Sequence, residues 1–170
     1  MNPVIGIDPG DFASAFAVWD GAEVLDCGIL GNDGLVNRLR TLANHPCPHD
    51  LALEVPAILG KQRVHAELLE TARWVGVFEG VWRAAGLPVS RITYHRARTH
   101  VTRDPNANEA AVKEALISRF APGCRPRKNV GAFAVVPTGE VDVDGEKVKS
   151  SHVWSAVAVA VMHDDTRRAA

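Results

Sequence analysis

Three side chains able to hold a divalent cation stand far apart in this sequence: Asp8, Glu54 and His152. Asp8 closes the apolar run Val4-Ile5-Gly6-Ile7 and is followed by Pro9-Gly10, while Glu54 is the only charge in Leu51-Ala52-Leu53-Glu54-Val55. His152 precedes a run, Val153 to Val161, that is almost entirely apolar. A carboxylate in an apolar strand is costly to bury unless a cation or hydrogen-bond donors meet it. Oxygen and nitrogen donors converging from distant parts of a chain make a divalent-metal site. Each residue also has a plainer reading. Asp-Pro-Gly is an ordinary turn, Glu54 could pair with an arginine, and His152 could bond backbone at a helix start.

Strands and helices must position these groups. Apolar runs bounded by turn signals predict strands near 3–8, 13–19 and 22–28, joined through Asp8–Gly10 and Asp20-Gly21 as an antiparallel meander. Leu35, Leu39 and Leu42 predict a helix over 33–44. Residues 51–55 read as a buried strand that Pro56 ends. The longest helix spans about 62–85, with Val64, Leu68, Val75, Phe78 and Trp82 on its apolar side. Gly76 and Gly80 lie one turn apart on it, and Gly86 stands in the C-cap position. A strand from Val89 to Tyr94 follows, then a helix over about 107–120 carrying Val112, Leu116 and Phe120. Residues 121–149 are irregular and rich in glycine, proline and charge. The last helix starts near Ser150 or Ser151 and is buried. The sum is one α/β domain over 1–170, a mixed sheet with helices on both faces.

The chain of 170 residues is 46% hydrophobic and 23% charged, as expected of a soluble globular domain with its own core. No basic region opens it and no apolar stretch reaches about 18 residues, which argues against a signal peptide or a membrane span. Cys27, Cys47 and Cys124 are widely spaced and read as reduced thiols of a cytoplasmic protein. Net charge is −1, yet Lys61, Arg63, Arg73, Arg83, Arg91, Arg96, Arg98 and Arg103 face only Glu67, Glu70 and Glu79 in their stretch. Arg125-Pro126-Arg127-Lys128 adds a second basic cluster. Such asymmetry is either a polyanion-binding face or, more commonly, a solvated helix surface. His45, Cys47 and His49 invite a zinc reading but lack a distant second pair of ligands. Trp19, Trp74, Trp82 and Trp154 read as core or interface residues.

Ile5-Gly6-Ile7-Asp8-Pro9-Gly10, the Leu53-Glu54-Val55 strand, the order of elements as far as Phe120 and the closing His152-Val153-Trp154-Ser155-Ala156 resemble the RuvC-type Holliday junction resolvases. The resemblance covers most of residues 1–120 and the closing helix. It implies a ribonuclease H-like fold with a mixed five-stranded sheet and two-metal phosphodiester hydrolysis with Mg²⁺, or Mn²⁺ as a substitute. Asp8 would bridge the ions, with Glu54 and His152 completing the catalytic shell. The resemblance also implies DNA contacts by Lys61, Gln62 and Arg63, just beyond Glu54. Arg98 matches a basic position near the scissile phosphate, and Arg96 and Arg103 join it as DNA contacts. The implied active unit is a homodimer built on the helix around Gly76 and Gly80. It would nick four-way junctions or other branched DNA symmetrically in recombination and repair, with a branch-migration motor as partner.

The chain departs from that pattern in three places. Ser155 stands where the family has its last aspartate, Glu109 stands where lysine is common, and the stretch from Gly123 to Lys149 is longer than usual. Asp142 or Asp144 in that stretch could fold back to replace the missing carboxylate; otherwise Val-Asp-Val-Asp-Gly is a solvated hairpin. Two functions therefore compete: a nuclease, and a junction-binding protein whose catalysis is weakened at Ser155. The third reading of Ile-Gly-Ile-Asp-Pro-Gly, a phosphate loop of an actin-like ATPase, needs a longer chain and a second such loop.

Overall fold

The computed structural model describes residues 2–47, 49–56, 65–123 and 131–170. Strands β1 (Val4–Asp8), β2 (Ala13–Trp19) and β3 (Val24–Gly31) form the meander, and helix α1 (Asn32–Ala43) leads into β4 (Asp50–Val55). Helix α2 (Ala66–Ala84), strand β5 (Val89–Thr93), helix α3 (Tyr94–Thr102) and helix α4 (Glu109–Phe120) follow. A hairpin of β6 (Glu140–Val143) and β7 (Glu146–Lys149) precedes the last helix, α5 (Ser151–Arg168). The five-stranded sheet has the order β3-β2-β1-β4-β5. β1 is antiparallel to β2 but parallel to β4, and β4 is parallel to β5. This is the mixed sheet expected from the sequence.

Side chains alternate across a strand, and here the alternation sorts two cores. Ile5, Ile7, Leu51 and Leu53 pack with Leu35, Leu39, Phe78 and Trp82 of α1 and α2. Val4 and Ala52 pack on the other face with α5. By the same period, Gly6, Asp8 and Glu54 belong to the α5 face. Gly6 decides how near α5 can come. A Cβ there would overlap the Ala156 carbonyl oxygen and crowd the Ala160 methyl. With a bare glycine facing small residues, the helix lies against the strand.

Several boundaries moved for identifiable reasons. β3 begins at Val24 because Asp20 Oδ1 accepts the backbone N–H groups of Ala22 and Glu23 and so holds a wider turn. β5 ends at Thr93 rather than Tyr94, because a helix starts at Tyr94; α3 is not foreshadowed in the sequence, since it buries only Ala97 and offers no apolar stripe to read. The described part of α2 starts at Ala66, and its C-terminus closes on Gly86 with Leu87 N–H reaching the Trp82 carbonyl. In the β6–β7 hairpin Asp144 and Gly145 both have positive φ, the signature of a two-residue turn matched to strand twist. Trp19, Trp82 and Trp154 are buried as expected, while Trp74 is half-buried. Among the described residues, no helix is long and apolar enough to cross a membrane.

Candidate active site

β1 and β4 run parallel and in register, with Ile7 beside Leu53. The next residue on each strand, Asp8 and Glu54, therefore reaches the C-terminal edge of the sheet at neighbouring positions. Open α/β sheets bind ligands at this edge, where connections diverge on either side of a central strand. α5 supplies the third group. Its close seating on Gly6 brings its first turn over β1, and His152 Nδ1 donates to Asp8 Oδ2 at 3.0 Å. Asp8, Pro9, Gly10, Asp11, Phe12 and His152 line a cavity of about 200 Å³ there.

The loop between β1 and β2 is locked from beneath. The buried Ser14 hydroxyl accepts the Gly10 N–H and donates to Asn32 Oδ1, and the Asn32 amide donates to the carbonyls of Gly10 and Asp11. Gly10 is required in this turn, because a Cβ would overlap the Ala13 carbonyl oxygen. The loop bearing the first carboxylate is thus rigid before any ligand arrives.

The charges are poorly balanced. Burial pushes Asp8 up, and the hydrogen bond and charge of His152 only partly offset that. Burial, and then the negative charge of Asp8, push the Glu54 carboxyl up to about 9. Glu54 Oε2 is buried without a hydrogen-bond partner among the described residues. The hydrogen bond to Asp8 holds His152 above its usual range, against the effect of its own burial. The charge of Glu109, first residue of α4, adds to the upward shifts of both Asp8 and His152. Two crowded carboxylates with one orphaned oxygen and an adjacent imidazole suit a hard divalent cation. Among the described residues, however, no three His, Cys, Asp or Glu side chains are arranged to enclose an ion. His152 is turned onto Asp8 instead.

Other residues singled out in the sequence fall elsewhere. Ser155 is buried one turn beyond His152. Asp142 bonds the Gly145 N–H and pairs with Lys147 at 3.0 Å within the hairpin. Asp144 lines a neighbouring hollow with Gly31, Asp33, Arg73 and Trp74. Neither carboxylate lines the Asp8 cavity. Arg98 lies 4.9 Å from the Tyr94 ring centre and donates to the Pro105 carbonyl at 2.7 Å. Arg96 and Arg103 line a shallow hollow with His95, Thr99 and His100. Lys61, Gln62 and Arg63 lie outside the described residues. Tyr94 had not been singled out. Burial raises its hydroxyl, against the charge of the neighbouring Arg98, and the charges of Glu109 and Glu54 add to the rise.

No family model and no curated protein matches this sequence. Solved structures do. The chain is similar to the Thermus thermophilus RuvC structure, at 18% identity over 98% of this chain and 96% of that one, with a TM-score of 0.63. It is also similar to T. thermophilus RuvC in complex with Holliday junction substrate, at 18% identity over 99% and 96%, with a TM-score of 0.69. The chain shares the fold of these structures from end to end, the ribonuclease H-like arrangement anticipated above.

Proposed function

We propose that the chain is a divalent-metal-dependent endonuclease for branched DNA, a Holliday junction resolvase acting as a homodimer. One observation carries the reading: Asp8 and Glu54, at the ends of adjacent parallel strands, face the first turn of α5 with a buried carboxylate oxygen that has no partner among the described residues. An orphaned buried acceptor costs about 1–3 kcal/mol, more for a charged group. That cost is removed when a cation binds. Asp8 and Glu54 would hold the metal, with His152 on the rim. Bound Mg²⁺ ions would supply an activated water and stabilise the leaving oxygen of the phosphodiester.

The chain's own groups do the remaining work. The Ser14–Asn32 network fixes the Asp8 loop, so little ordering is needed when substrate arrives. His152 holds Asp8 in one orientation until the site is occupied. Arg96 and Arg103, on the surface of α3 and at its end, offer positive charge for a phosphate path. The outer side of α2 supports the dimer: Leu69 is exposed, and none of the described residues would crowd a Cβ at Gly76 or Gly80, so another helix can approach closely.

The test is nicking of a synthetic four-way junction with and without Mg²⁺. Asp8→Asn is expected to abolish nicking and to leave junction binding within about two-fold; unchanged nicking removes Asp8 from the chemistry. The second reading, a junction-binding protein with weakened catalysis, draws on buried Ser155 and on the lack of an enclosing donor set among the described residues. It expects binding without Mg²⁺-dependent cleavage, and a gain of cleavage in Ser155→Asp.

A further inference from the structure

Phe12 is an aromatic ring 45% exposed to solvent, on a loop held rigid from below. The Asn32 N–H bonds the Phe12 carbonyl at 3.3 Å, and the Asn32 side chain ties down the two residues before it. Evidently the ring is not exposed because its loop is slack. It borders two hollows at once. One is the cavity of Asp8 and His152; the other, of about 280 Å³, is lined by Asp11, Asn32, Asp33, Arg73, Trp74 and Asp144. The second hollow approaches the lower end of the range for small-molecule pockets, about 300 Å³.

Its chemistry selects the occupant. Three carboxylates against a single guanidinium turn a phosphate away. Arg73 is moreover engaged, paired with Glu70 at 2.8 Å and lying 4.3 Å from the Trp74 ring centre. The remaining features are two aromatic rings and several acceptors. A neutral, flat ring bearing an amino group meets all of them. Cytosine, adenine and guanine carry such a donor, and thymine does not.

We propose that Phe12 stacks on an unpaired nucleobase whose phosphate lies at the Asp8 cavity, and that the adjoining carboxylates favour an amino-bearing base. This rests on the nuclease reading above, because it takes the substrate to be branched DNA. Stacking on an aromatic side chain is independent of sequence and of salt, whereas a phosphate contact releases counterions. The two can therefore be separated by measurement.

The probe is a four-way junction with one unpaired pyrimidine at the branch, cytosine in one version and thymine in the other. Equilibrium binding is measured without divalent cation across a salt series. The cytosine version is expected to bind about five-fold more tightly. Phe12→Ala should weaken binding about ten-fold and erase the base preference, with the salt slope unchanged, and Phe12→Tyr should restore both. Three results overturn the inference: Phe12→Ala binding like the parent, Phe12→Tyr no better than Phe12→Ala, or a reduced salt slope. If the parent protein binds neither junction more tightly than duplex DNA, the nuclease reading itself falls, and this inference falls with it.

Discussion

At the C-terminal end of α5, three carboxylates are matched by cations. Asp164 is 4% exposed, accepts from Arg167 and Arg168, and takes the Trp19 indole N–H at 3.3 Å. Asp165 is gripped by both guanidinium nitrogens of Arg119, with His100 beside it, and Asp50 by His163 and Arg167. At the N-terminal end of the same helix, Asp8 has one imidazole and Glu54 Oε2 has no partner among the described residues. Burial alone would raise all five carboxyls. At the paired end, hydrogen bonds from arginine and histidine outweigh burial and hold Asp50, Asp164 and Asp165 below the usual carboxylate range. At the other end burial wins. What separates the two acidic clusters is the supply of partners, since both meet the same helix on the same face of the sheet. A site left electrostatically incomplete is one that a ligand can complete.

The contrast can be broken most severely at Glu54. Glu54→Gln should reduce metal-dependent nicking by at least about a hundred-fold, the scale of losing one preorganised charge. The same substitution should raise the thermal midpoint of the metal-free protein, because an uncompensated buried carboxyl is gone. Calorimetry with and without Mn²⁺ reads both effects, and a variant less stable than the parent without metal would undo the comparison. Next in size is the paired end. Asp164→Ala removes the acceptor of the buried Trp19 N–H and the carboxylate that pairs with Arg168, while Arg167 keeps Asp50, and should destabilise the fold by about 3 kcal/mol, measured by urea unfolding, with little change in junction affinity.

A third test sharpens the contrast through pH. Glu54 and His152 hold their protons more tightly folded than unfolded. Between the ordinary carboxylate range and about pH 9 the folded state therefore binds more protons, and metal-free stability falls as pH rises. The loss is at most about 1.4 kcal/mol per pH unit for one group. Asp50, Asp164 and Asp165 act oppositely: their contribution is present above the ordinary carboxylate range and is lost as acid protonates them. Unfolding midpoints from pH 4 to 9 should show the alkaline decline in the parent and little of it in Glu54→Gln. A decline of equal size in both would assign it elsewhere.

Much of this was legible in the residues. The period-two runs of β1, β2 and β4 announced strands, and the continuous apolar length of α5 announced a helix buried against the sheet. Asp8, Glu54 and His152 stood out because charge and imidazole interrupt or border apolar runs. α3 was invisible, being a polar helix stabilised by its place between β5 and α5 rather than by a stripe of its own. The Asp142 and Asp144 carboxylates carried the right charge, but local turn chemistry claims one and the direction of the hairpin takes the other to a different hollow. Phe12 carried no signal at all, because an aromatic residue after a turn reads as ordinary until its exposure is known.

The sequence by itself determined most of the strands and helices, α3 excepted, and that two carboxylates in apolar strands would be buried at a cost. Those follow from local periodicity and from the free energy of removing charge from water. Only the tertiary structure decided that β4 lies beside β1 in register, that Gly6 admits α5 closely enough for His152 to reach Asp8, and that Glu54 Oε2 finds no partner among the described residues. Each of these depends on distances between residues far apart in the chain, and no local pattern encodes them.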